Sequence, residues 1–168
     1  MGIDPGLSAT GYGIIEGLGP SPRIVEAGVI RSRDKDPLEK RLLEILEGMT
    51  EVIKEFSPTV VAVEELYSKY AHPRTAIIMG HARGIIYVAA AERGIPVVSY
   101  AATRIKNSLT GHGRAAKDQV QRMVQQAFGL ERPPQPADVA DALAIALCHH
   151  NVLRHGQSGM LGTGARRR

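Results

Sequence analysis

Gly2-Ile3-Asp4-Pro5-Gly6, followed by Thr10-Gly11-Tyr12-Gly13-Ile14-Ile15, is the stretch on which the reading of this chain turns. Residues 1–3 are apolar and strand-like, Pro5-Gly6 turns the chain, and the second run returns as a strand carrying two glycines. The turn leaves a carboxylate, Asp4, at the end of the first strand, a place where core packing supplies no reason for an acid. Residues 23–30, with Ile24, Val25, Val29 and Ile30, read as a third strand.

Outward from this hairpin the pattern alternates. Asp36 is expected to cap a helix, with Pro37 at its first position and Glu39 completing a capping box. Leu38, Leu42, Ile45, Met49, Val52 and Phe56 recur at steps of three and four and mark its buried face. Ser57-Pro58 ends it. Thr59 to Val63 is a β-branched run that reads as a buried strand and delivers Glu64 at its end. After a polar segment, a helix is expected from about Thr75 to Arg93, closed by Gly94, with Gly80 and Gly84 four apart on one face. Pro96 to Tyr100 reads as a strand. Two helical stretches flank Gly111-His112-Gly113, and a last helix runs from Asp138 to His150. The expected fold is α/β, a mixed sheet flanked by helices. Residues 1–150 form its single domain, and residues 151–168 are a basic tail expected to be disordered.

Composition narrows the function. No apolar run approaches the roughly 20 residues that cross a bilayer, so no membrane is expected. Cys148 is the one cysteine among 168 residues. It excludes an internal disulfide and a cysteine-rich zinc site, and it suits a reducing cytoplasm. The net charge of +4 is unevenly placed. Acids and bases balance over residues 31–56, whereas residues 101–126 carry Arg104, Lys106, Arg114, Lys117 and Arg122 against Asp118 alone. No acid follows Asp141. A basic second half is what a phosphate-binding face requires.

Four carboxylates stand out: Asp4, Glu64, and the pair Asp138 and Asp141, which share one face of an otherwise apolar helix. Burying like charges beside such a surface is costly unless a cation compensates. Oxygen donors without cysteine favour Mg²⁺ or Mn²⁺ over zinc. Two such ions about 4 Å apart can hydrolyse a phosphodiester. Taken singly, Asp138 also reads as an N-cap, Asp141 as a complement to the helix dipole, and Asp4 as a turn residue. Only the four together point to metal.

Gly2-Ile3-Asp4-Pro5-Gly6 with Thr10-Gly11-Tyr12-Gly13 resembles the opening motif of the RuvC resolvases. Ala62-Val63-Glu64-Glu65 resembles their second acidic strand, and Ala137 to Ala146 is similar to their acidic helix nearly residue for residue. Gly80-His81-Ala82-Arg83-Gly84 and Ala115-Ala116-Lys117 also match. The resemblance, which runs from residue 2 to about 150, implies a ribonuclease H-like fold and an endonuclease that resolves four-way (Holliday) junctions in DNA recombination and repair. It further implies a homodimer making paired, Mg²⁺-dependent nicks and working with the RuvA–RuvB branch-migration complex. By position, the catalytic and metal-binding quartet is Asp4, Glu64, Asp138 and Asp141. Tyr67, Lys106 and Lys117 fall where the family contacts DNA, Tyr67 as a ring that stacks on a base. Family members carry more apolar residues before the Gly-Ile-Asp motif, so a short first strand is expected here.

The opening motif also resembles the phosphate loop of actin-like sugar kinases and chaperone ATPases. That reading needs two such domains and leaves Asp138 and Asp141 unexplained. A nuclease-dead junction-binding protein is the rival of a different class, and the intact quartet argues against it.

Overall fold

Alternate residues of the same strands face two different layers of helix, and this two-sidedness organises the fold. The computed structural model describes residues 1–66 and 73–162, with side chains over 1–66 and 75–156. The elements run β1 (Gly2–Asp4), β2 (Ala9–Glu16), β3 (Arg23–Arg31), α1 (Leu38–Phe56), β4 (Val61–Glu64), α2 (Pro73–Ala91), β5 (Val97–Tyr100), α3 (Ala102–Thr110), α4 (Lys117–Ala127) and α5 (Ala137–Gly162). They build one five-stranded sheet in the order β3-β2-β1-β4-β5. The β1–β2 and β2–β3 pairs are antiparallel, and β1–β4 and β4–β5 are parallel. This is the mixed sheet expected from the sequence.

Ile3, Val61 and Val63 point to one side and pack with Met49 and Ile53 of α1 and Ile86 of α2. Ala62 and Tyr100 point to the other, where Leu143, Ile145 and Leu147 of α5 meet Ile105 of α3 and Val124 of α4. Period-two alternation therefore sends Gly2, Asp4, Ala62 and Glu64 toward α5. The glycines of the opening motif explain how close that helix comes. A Cβ on Gly2 would strike the Ala142 carbonyl oxygen, and one on Gly11 would strike that of Asp138. At Gly13 it would lie 2.7 Å from Leu143 Cδ2. Glycine here makes room for a helix laid against the strand backbones.

Helix α1 departs from the sequence reading at its start. Pro37, in an extended conformation, occupies the N-cap position, and no side chain caps the helix. The helix begins one residue later than expected, which leaves Asp36 too far out to cap it. The Pro37 carbonyl instead accepts N–H bonds from Lys40 and Arg41, at 3.0 and 3.2 Å. Leu38 is exposed, whereas Ile45, Met49 and Ile53 are the fully buried residues. Ser57 closes the helix in the left-handed conformation. Helix α5 continues past residue 150 through Gly162, because Val152 still packs against the core. Cys148 is buried within it. Among the described residues no helix is long and apolar enough to cross a membrane.

Candidate active site

Three elements deliver the four acids. The parallel register Ile3↔Val63 sets the ends of β1 and β4 side by side, so Asp4 and Glu64 leave adjacent strands on the same face. Behind Asp4 the turn is pinned by Thr10, which is fully buried and donates through Oγ1 to the Gly6 carbonyl at 2.7 Å. Beyond Glu64, the Glu65 N–H bonds to the Tyr100 carbonyl at 2.9 Å and extends the β4–β5 ladder. Asp4 pairs with Gly11, and Gly11 is the residue on which the Asp138 backbone rests. The first turn of α5 is thereby held over Asp4, with Asp141 one turn further along.

Asp138 lies inside the helix rather than capping it. Helix α5 begins at Ala137, and the Val139 N–H is taken by the Pro136 carbonyl at 3.0 Å. Its position leaves the capping alternative without support.

Electrostatics couple Asp4 to the other three acids. Burial, followed by the charges of Asp141, Glu64 and Asp138, pushes the Asp4 carboxyl up from 3.8 to about 7, against an opposing pull from Lys117. Burial and Asp141 likewise raise Glu64, with Lys106 opposing. Such coupling requires proximity, and it is the pattern expected where like charges are assembled for a cation. A cavity of about 290 Å³ opens here, lined by Asp4, Glu64 and Asp141 together with Lys106, Lys117 and apolar residues of α3, α4 and α5. Asp138 is not among its lining residues.

The cation present is a side chain. Lys117 Nζ lies 2.7 Å from Asp141 Oδ2, with the lysine mostly exposed and the aspartate mostly covered. That contact and the surrounding acids raise the Lys117 ammonium above its usual range. Among the described residues, no three carboxylate, imidazole or thiol groups stand close enough as placed to share one ion. The donor set fits a hard divalent cation by chemistry, since the acidic oxygens are gathered with no thiol or imidazole in the cavity. Asp141 is meanwhile held by Lys117.

The remaining sequence candidates divide. Lys106 lines the same cavity, where its charge opposes the rise at Glu64. Tyr67 lies outside the described residues. The Gly111-His112-Gly113 segment is a connector, in which the Gly111 and His112 N–H groups are used locally. Thr110 Oγ1 accepts from His112 N–H and His112 Nδ1 accepts from Arg114 N–H, both at 3.1 Å. Sequence reasoning missed the Lys117–Asp141 pair. The one available signal was the charge imbalance itself, since four gathered acids call for a cation.

Comparison with known proteins shows which family this chain is similar to. The sequence model of the family described as "Crossover junction endodeoxyribonuclease RuvC" matches residues 1–149. A protein of that name from Rhodopirellula baltica is 52% identical over 150 residues, covering 89% of this chain and 84% of the relative. One from an Azoarcus species is 43% identical and covers 100% of this chain and 90% of its own. A solved structure of Thermus thermophilus RuvC in complex with Holliday junction substrate superposes with a TM-score of 0.87 at 39% identity, covering 92% of this chain and 94% of that one.

Proposed function

The chain belongs to the RuvC family of crossover junction endodeoxyribonucleases, which resolve Holliday junctions in DNA recombination and repair, and we propose that it cuts with Mg²⁺ held by Asp4, Glu64, Asp138 and Asp141. The observation that carries this reading is that Asp4, Glu64 and Asp141 line one cavity between β1, β4 and α5, where burial and the neighbouring acids push Asp4 up to about 7. An environment so unfavourable to isolated carboxylates is relieved by divalent cations. Bound there, two ions would supply Lewis acidity and a water of lowered pKa, with Mn²⁺ able to substitute.

The protein's own groups do the rest. Asp4 and Glu64 leave adjacent strands whose β1–β4 register sets their backbones side by side, from which both would act as oxygen ligands. Lys106 and Lys117 border the cavity and place ammonium groups where a scissile phosphate would enter. The Tyr67 ring serves to stack on an unpaired junction base.

Two nicks at related positions call for two sites, which a two-fold homodimer supplies. Helix α2 offers a suitable face. Ile77, His81, Gly84 and Val88 recur at steps of four, three and four and are all exposed, Ile77 at 62% and Val88 at 47%. A Cβ on Gly84 would meet nothing within 4 Å of this chain. A second α2 could pack closely there. The partners of this reading are junction DNA, a second copy, and the RuvA–RuvB complex, in the cytoplasm. Residues 1–150 form the nuclease domain.

The test is cleavage of a synthetic four-way junction beside a linear duplex of the same sequence, both with Mg²⁺. Paired nicks confined to the junction are expected; equal cutting of the duplex would refute junction selectivity.

A further inference from the structure

We propose that Lys117 is an internal counter-ion that holds Asp141 away from metal until DNA phosphate draws the lysine off, so that metal and junction bind cooperatively. This inference rests on the metal reading above. Its basis is geometric. Lys117 is the first residue of α4, and that helix start is fixed by Gln119, whose Oε1 accepts the Ala116 N–H at 2.9 Å. From there the ammonium reaches Asp141 Oδ2 at 2.7 Å, within the lining of the acidic cavity. It is the only lysine ion-paired to a member of the quartet among the described residues.

The two ends of this pair differ in freedom. The Asp141 side chain is 28% exposed on a helix seated against glycine backbone, whereas that of Lys117 is 62% exposed on a flexible stem. The lysine is therefore the member that moves. While it sits on Asp141 it occupies an oxygen a cation needs and repels the cation directly. A phosphate entering the cavity competes for the same ammonium. The interaction is reciprocal: whatever factor junction DNA adds to metal affinity, metal adds to DNA affinity. The arrangement keeps the hydrolytic centre from assembling on protein alone.

Mn²⁺ binding to the full-length protein, followed by calorimetry or by the electron paramagnetic resonance of free Mn²⁺, tests this without any turnover. In the absence of DNA, Lys117→Met and Lys117→Gln should each tighten Mn²⁺ about five- to tenfold, because a partly exposed ion pair and a nearby like charge are removed. Junction DNA, added in the cold and read before nicks accumulate, should tighten Mn²⁺ on the wild type and do so less on either variant. Unchanged or weaker Mn²⁺ binding by both variants, with Asp141→Asn still losing the metal, would overturn the counter-ion role and leave the metal site standing. Binding by Asp141→Asn and Asp4→Asn equal to wild type would overturn the metal site and this inference together.

Discussion

The two faces of the sheet are built from alternate residues of the same strands, yet they follow opposite rules. Toward α1 and α2, Ile3, Val61 and Val63 interdigitate with Met49, Ile53 and Ile86, side chain filling against side chain. Toward α5, Gly2, Gly11 and Gly13 withdraw their side chains so that a helix lies on bare backbone. The first face fills its volume with interlocking side chains. The second sacrifices volume to set Asp138 and Asp141 against Asp4 and Glu64, then leaves those acids partly desolvated beside one another. Both sides bury an apolar core, but only the α5 side also carries the acids.

Substitutions should separate the faces by sign as well as size. Ile53→Ala, on the filled face, should cost about 2–5 kcal/mol in urea unfolding while the folded fraction cuts normally. Gly11→Ala should cost somewhat less, about 1–3 kcal/mol, but should also lose cleavage, because the added methyl pushes the first turn of α5 off Asp4. Comparable loss of specific activity in both would erase the distinction between the faces.

A smaller effect of opposite sign is expected at Asp4. Its carboxyl rises from 3.8 to about 7 on folding, so the folded state favours the neutral form. The associated stability is fully present below pH about 4 and is lost as pH climbs through about 7. Without divalent metal, Asp4→Asn should therefore be more stable than wild type at pH 8, by about 1–2 kcal/mol, and the difference should vanish near pH 4. Thermal melts of the two proteins across this range check it. A wild type that is the more stable at pH 8 would show the acids are not strained there.

Much of this architecture is legible in the sequence because it is local. The Pro-Gly turn after Asp4, the β-branched strand ending at Glu64 and the three-residue spacing of Asp138 and Asp141 are each encoded within a few residues. The α1 boundary is less so. Asp36-Pro37 suits two overlapping caps, and only the extended conformation of Pro37 settles which forms. Ile53 replaces Val52 as the buried residue of the last turns because the sheet, not the helix, decides which face turns inward. The Lys117–Asp141 pair is legible only as a charge imbalance, not as a contact. It depends on how α4 docks beside α5, and a flexible lysine gives no periodic signal. The length of α5 is likewise a tertiary matter, extended by the packing of Val152.

Cleavage of a four-way junction across a Mg²⁺ titration starting in EDTA, with Asp4→Asn and Asp141→Asn run beside the wild type, tests the assembled quartet most directly. Gel shift on the same samples reports junction binding. The wild type should make no nicks in chelator and recover on adding Mg²⁺, while each variant should bind the junction but cut at least about 10³-fold more slowly. Full-rate cutting by the wild type in EDTA, or near-normal cutting by either variant, would contradict a metal-dependent site built from these acids.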